Sequence, residues 1–216
     1  MSNSKVILEE IFQKMLQHFG PQKWWPAETA FEVIVGAVLT QNTNWMNVEK
    51  AITQLKQKKL LNFKSLFEIE EASLAELIRP AGYFNVKAKR LKALLRFIFE
   101  ETEGELDPLF ELPPSNLREK LLQVKGVGPE TADSILLYAA QKPIFVVDQY
   151  TYRVLSRHFL IPEESSYEEM QYFMIQHLPE DLNLFNEYHA LIVRVGKEFC
   201  KPKAQCENCP LKGVNW

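Results

Sequence analysis

Several features are scarce in this chain of 216 residues. No run of about 18 or more apolar residues occurs, which excludes an apolar membrane-spanning helix. The opening MSNSKVILEE lacks the apolar stretch of a signal peptide, so the expected location is cytoplasmic, with no membrane partner. Glycine appears only 8 times, too thinly spread for a loop-rich sandwich of short strands. Cysteine appears three times, at Cys200, Cys206 and Cys209. An odd, terminal group is a poor disulfide framework and reads better as an intracellular metal or cluster site. Positive charge is not in surplus either: the formal net charge is -3, so any grip on a polyanion has to be local.

What the chain does have is apolar residues, 46% of the total, enough for a sizeable core. They fall at helical spacing. Val6, Ile7, Leu8, Ile11, Phe12, Met15, Leu16 and Phe19 predict a helix over 5–19, stopped by Gly20-Pro21. FEVIVGAVLT is apolar nearly all round and predicts a buried helix to about Leu39, with Thr29 as its cap. Further helices are expected at about 44–57, 64–68, 73–79, 86–101, 115–123, 130–140, 148–157, 166–177 and 181–198. The run Ile144 to Val147 reads as an extended link, because no partner strands are visible. The fold class is therefore all-α.

The sharpest local signal is LREKLLQVKGVGPETADSILLYAA, residues 117–140. One amphipathic helix ends near Val124, and a second begins near Pro129. Between them, Gly126 and Gly128 flank Val127, which is placed to plug the gap between the helices. Glycine lets a phosphate approach the backbone, and the amides that open a helix point at such an anion with the dipole behind them. Lys125, Gly126, Val127, Gly128 and Thr131 are accordingly candidates for a sequence-independent grip on DNA.

VKGVGPETA followed by IFVVDQYTYRV resembles the helix-hairpin-helix plus Gly/Pro-Asp motif of the endonuclease III superfamily of DNA glycosylases. GAVLTQNT, GYFNVKAKRL and the terminal FCKPKAQCENCPL extend the resemblance over roughly residues 30–212. Within the superfamily, WWP at 24–26, FEVIVGAVLTQNTNW and RPAGYFNVKAKRL are most similar to the 3-methyladenine DNA glycosylase III branch. The resemblance implies two helical lobes: 1–29 with 143–216, and a six-helix barrel over 30–142 that contains the hairpin. A cleft between the lobes would take double-stranded DNA carrying a damaged base, bound by a monomer.

Asp148 falls at the family's catalytic aspartate. Breaking an N-glycosidic bond develops positive charge on the sugar, and a fixed carboxylate stabilises that charge. Bifunctional relatives carry a lysine two residues after the second hairpin glycine, where it forms an imine. Glu130 stands there in this chain, so the expectation is a monofunctional enzyme that uses water. A flipped base needs a pocket, and Trp24, Trp25 and Trp45 are its candidate walls; the resemblance gives aromatics at 24 and 45 that role. Gln41 matches a family position that fills the gap left in the stack. The loop around Tyr83, Phe84 and Asn85 is a second candidate wedge, with Lys87 and Lys89 beside the phosphates.

The family's cluster loop has four cysteines, but this chain has three, with Asn215 in the fourth place. A [4Fe-4S] cluster with another ligand and a tail without a cluster both remain open. Two other readings stand beside the main one. One is a glycosylase/lyase for oxidised pyrimidines; the other is a non-catalytic DNA-binding hairpin module.

Overall fold

The computed structural model describes residues 3–22, 24 and 27–214. Twelve α-helices follow one another, and no strand occurs among the described residues. They are α1 (Asn3–Phe19), α2 (Ala30–Leu39), α3 (Trp45–Gln57), α4 (Phe63–Glu68), α5 (Glu71–Leu77), α6 (Phe84–Thr102), α7 (Asp107–Phe110), α8 (Pro114–Gln123), α9 (Pro129–Ser134), α10 (Gln149–Arg157), α11 (Tyr167–His177) and α12 (Leu182–Glu198). The chain divides into one unit of Ala27–Lys142 and another of Met1–Pro26 with Pro143–Trp216.

In the unit of Ala27–Lys142, α2 is the central helix. Phe31 through Leu39 are all buried, as a nearly all-round apolar sequence requires, and the one carboxylate among them, Glu32, pairs with Lys56 at 2.9 Å. Short polar side chains start three of these helices: Thr29 accepts from Glu32 N, Asn44 from Asn47 N and Asn62 from Ser65 N. The stretch expected as one helix over 130–140 instead changes pitch. After α9, residues Ile135–Ala139 form a π turn in which Ala140 N donates to Ile135 O at 2.9 Å. The four-residue α7 carries no periodic signal, and the sequence reading missed it.

In the other unit, α12 packs on α10 and α1. Ile7, Leu8, Ile11 and Met15 form the buried stripe of α1. Tyr188 of α12 is fully buried and donates its hydroxyl to Leu8 O at 3.0 Å. The link ahead of Asp148 has no regular structure, as expected, and Phe145, Val146 and Val147 are buried. Side chains satisfy part of its backbone: Gln171 Nε2 donates to Phe145 O at 2.7 Å, and the Tyr167 hydroxyl accepts from Val147 N at 3.4 Å. Phe145 also packs edge-on against Phe185 and Tyr188. The position at which α10 begins is thereby fixed.

Candidate functional site

Asp148 caps α10. Its Oδ1 accepts from Thr151 N at 2.7 Å and from Thr151 Oγ1 at 2.9 Å. Its Oδ2 lies 3.5 Å from His189 Nε2 on α12. The Asp148 side chain is 11% exposed. Burial alone would raise its carboxyl, but His189 and the two Thr151 donors outweigh burial and hold it below the usual carboxylate value. The group is therefore an ionised carboxylate in a largely dry setting. The same burial, reinforced by the Asp148 charge, pushes the Tyr150 hydroxyl up. Lys197 of α12 is lowered by burial although the Asp148 charge acts the other way. Its ammonium sits over the Trp24 ring, 5.6 Å from the centroid. Asp148, Thr151, His189, Lys197 and Trp24 thus form one neighbourhood. Trp24 is half-buried, and Trp25 lies outside the described residues.

The hairpin forms the second grouping. Gly126 has φ +92°, and a Cβ there would lie 2.3 Å from Arg90 Cγ. Val127 is buried, and its amide closes the turn onto Val124 O at 3.0 Å. Gly128 is exposed with φ -98°, and a Cβ there would meet nothing within 4 Å. The two hairpin helices are clamped by Arg118 on α8 and Asp133 on α9, in a two-pronged pair of 2.7 and 3.1 Å. Glu130 is exposed, as is Lys125.

Gln41 is tied into this turn. Its Nε2 donates to Gly126 O at 3.0 Å and Thr131 Oγ1 at 2.9 Å, while its Oε1 accepts from Arg90 Nη1 at 2.5 Å. The Thr131 side chain therefore faces inward, and the residue is 5% exposed. Trp45 opens α3 and is half-buried. Asn85 and Lys89 are exposed. Tyr83, 71% exposed with φ +46°, stands at the head of α6.

Lys87 requires correction. It is 1% exposed, not beside any phosphate, and its Nζ donates to Leu39 O and Ala81 O, each at 2.8 Å. It closes the C-terminal end of α2 from inside, and burial with the nearby Arg90 charge pushes its ammonium down to about 8. His189, Lys197, Arg90 and the Arg118–Asp133 clamp were missed as site residues in the sequence.

The cysteine tail does not fit a four-thiolate cluster. Cys200 is buried, Cys206 exposed and Cys209 half-buried. Burial raises the Cys209 thiol, and the neighbouring Cys200 and Cys206 add to the rise. The three sulfurs therefore share a region, but the described residues hold no group of three or more His, Cys, Asp or Glu able to bind a metal. Arg157 Nη1 lies against Cys200 Sγ at 3.3 Å and also donates to Lys201 O. A guanidinium takes a place beside the sulfur, and no fourth thiol exists in the chain.

The glycine hairpin of one unit and the largely buried aspartate that caps α10 in the other are the features on which the sequence resembles base-excising enzymes. The profile of the HhH-GPD superfamily of base excision DNA repair proteins matches residues 35–180. The chain is 48% identical over 212 residues to a Methanocaldococcus jannaschii protein provisionally named a DNA repair glycosylase, covering 97% of this chain and 96% of that one. It is 29% identical over 211 residues to Thermotoga maritima endonuclease III, covering 95% and 91%. Among solved structures, it is similar to the 3-methyladenine DNA glycosylase of H. pylori, determined with 1,N6-ethenoadenine. That match has TM-score 0.78 and 34% identity over 91% of this chain and 98% of that one. An endonuclease III–DNA complex shares the fold at TM-score 0.84 with 22% identity, covering 100% and 96%. The chain belongs to the HhH-GPD superfamily and is a DNA glycosylase of base excision repair.

Proposed function

We propose that this glycosylase is monofunctional and hydrolyses the N-glycosidic bond of alkylated purines, 3-methyladenine above all, with Asp148 as the catalytic carboxylate. The observation that carries the proposal is the state of Asp148: largely buried, hydrogen-bonded through Oδ1 and held ionised. As the bond to the base lengthens, its electron pair leaves with the base and positive charge grows on the sugar. A preorganised carboxylate stabilises that charge. Water then adds to the sugar carbon and gives up its proton, leaving an abasic site.

Three further observations support the substrate class. A purine alkylated at N3 is a cation and leaves as a neutral molecule, so no strong general acid is required. The Trp24 ring attracts a cation, as the Lys197 ammonium over it shows, and a cationic base would take that place once the ammonium moves aside. The 34%-identical H. pylori relative is a 3-methyladenine glycosylase by name. Glu130 supports the monofunctional assignment, since a carboxylate forms no imine.

The hairpin amides at Gly126, Gly128 and Thr131 would hold a phosphate, with Lys89 and Lys125 adding charge. Tyr83, at an exposed and left-handed backbone position, suits insertion between opened base steps. Gln41 would fill the gap only by giving up its three bonds to Gly126, Thr131 and Arg90.

The test is a base-release panel. Duplexes carrying 3-methyladenine, 7-methylguanine, hypoxanthine or thymine glycol are incubated with the enzyme, with and without borohydride. The proposal requires release of 3-methyladenine and no borohydride-trapped adduct. Preferential release of thymine glycol with a trapped adduct would replace it with the bifunctional reading.

A further inference from the structure

The two oxygens of Asp148 have different partners. Oδ1 takes both donors of Thr151, the ordinary work of a helix cap. Oδ2 does nothing for the cap and faces His189 Nε2 at 3.5 Å. His189 is 5% exposed and lies in a stretch of α12 where Tyr188, Ala190, Leu191, Ile192 and Val193 are all buried. A buried imidazole in such a stretch carries a desolvation cost that an apolar residue would avoid. A cap held through one oxygen still leaves its carboxylate free to rock about the last torsion, and that freedom is removed when the second oxygen is also held.

We propose that His189 is a positioning residue for base release: with Thr151 on Oδ1 and His189 on Oδ2, the Asp148 carboxylate keeps one orientation toward the sugar. This rests on the reading of Asp148 as the catalytic carboxylate. His189 also opposes the effect of burial on the Asp148 carboxyl.

The other charged groups around the pair do not take over this task. On α10, Tyr150 is a neutral phenol pushed up by burial and the Asp148 charge, and Arg153 donates to Cys200 O and Gly196 O. On α12, Arg194 pairs with Glu198, and Lys197 sits over Trp24. Helix α1 presents Ile7, Leu8, Ile11 and Met15 inward, while Lys5 with Glu9 and Lys14 with Glu10 form surface pairs.

The experiment compares full-length wild type, His189→Leu and His189→Gln. Gln keeps an N–H donor near the place of Nε2, and Leu keeps only bulk. Single-turnover base release and duplex affinity are measured across pH, and the Asp148 carboxyl is followed by ¹³C NMR titration. His189→Leu is expected to slow release by about ten- to a hundredfold, the cost of a misplaced reacting group. Its duplex affinity should stay within about twofold, since the phosphate grip is elsewhere. Its acid limb and the Asp148 NMR midpoint should both move to higher pH, because burial is then less opposed. His189→Gln should restore most of the rate.

The proposal is overturned if His189→Leu releases base at the wild-type rate with an unmoved midpoint. It is equally overturned if Gln is as slow as Leu with the midpoint unmoved in both, which is the mark of packing alone. A wild type that releases no alkylated base defeats the functional reading instead. The NMR midpoint in His189→Leu still decides the Asp148–His189 pairing in that case.

Discussion

Gly128→Ala separates the needs of the fold from those of the ligand. Gly128 has φ -98° and ψ 178°, a conformation open to any residue and natural before Pro129. An added Cβ meets nothing within 4 Å. The folded chain by itself therefore has no use for glycine at this position. Alanine should restrict the unfolded chain and stabilise the protein by about 0.4–1 kcal/mol, a rise of roughly 1–4 °C in Tm for a domain of this size. A methyl on the outer face of the turn nevertheless stands where a phosphate would approach. Losing one charge-assisted hydrogen bond costs about 1.5–3 kcal/mol, which weakens Kd roughly ten- to 150-fold.

Gly126→Ala is the contrast. Its φ of +92° and the 2.3 Å approach to Arg90 Cγ penalise the fold itself, by at least about 1–2 kcal/mol from the backbone alone. Thermal melts and fluorescence anisotropy on an undamaged duplex at fixed salt read both effects. A Gly128→Ala protein that melts no lower than wild type and binds DNA equally well would refute the phosphate-gripping role of this turn.

Three other perturbations test separate parts of the account. Arg118→Met removes the two-pronged cation from Asp133, whose side chain is 0% exposed, and should cost about 3–5 kcal/mol in chemical denaturation. Lys87 has a folded pKa of about 8, below its unfolded value, so the unfolded chain holds the extra proton between the two. Its contribution to stability should therefore rise with pH from about 8 toward the unfolded value. Lys87→Met should lose that rise in pH-dependent melts and, at neutral pH, lose about 1–3 kcal/mol for each orphaned carbonyl. Cys206 is exposed and outside both groupings, so Cys206→Ser should change neither base release nor Tm; a visible chromophore lost in that variant would instead show a cluster held by three cysteines and another ligand.

The parts legible in the sequence were those written in local pattern. The helices followed apolar spacing, the hairpin followed two glycines between amphipathic segments, and the α10 start followed an aspartate after an apolar link. Lys87 was misread because Lys87, Lys89 and Arg90 look like one basic cluster. Spacing held the answer, since Lys87 shares a helical face with Leu91, Leu94, Leu95 and Ile98, all buried. The α9 helix was read as continuous because nothing in ILLYA signals one extra residue per turn. His189, Arg90 and the Arg118–Asp133 clamp were invisible for another reason: each acts through a partner brought close only by folding. Gln41 could be picked out as a candidate, but not its three ties to Gly126, Thr131 and Arg90.

Single-turnover release of 3-methyladenine by Asp148→Asn, with duplex affinity measured in parallel, bears most directly on the central claim. The isosteric amide keeps the cap oxygen while removing the charge. The account predicts that release falls by at least about a hundredfold, while affinity holds or rises. Release by Asp148→Asn at the wild-type rate would contradict it.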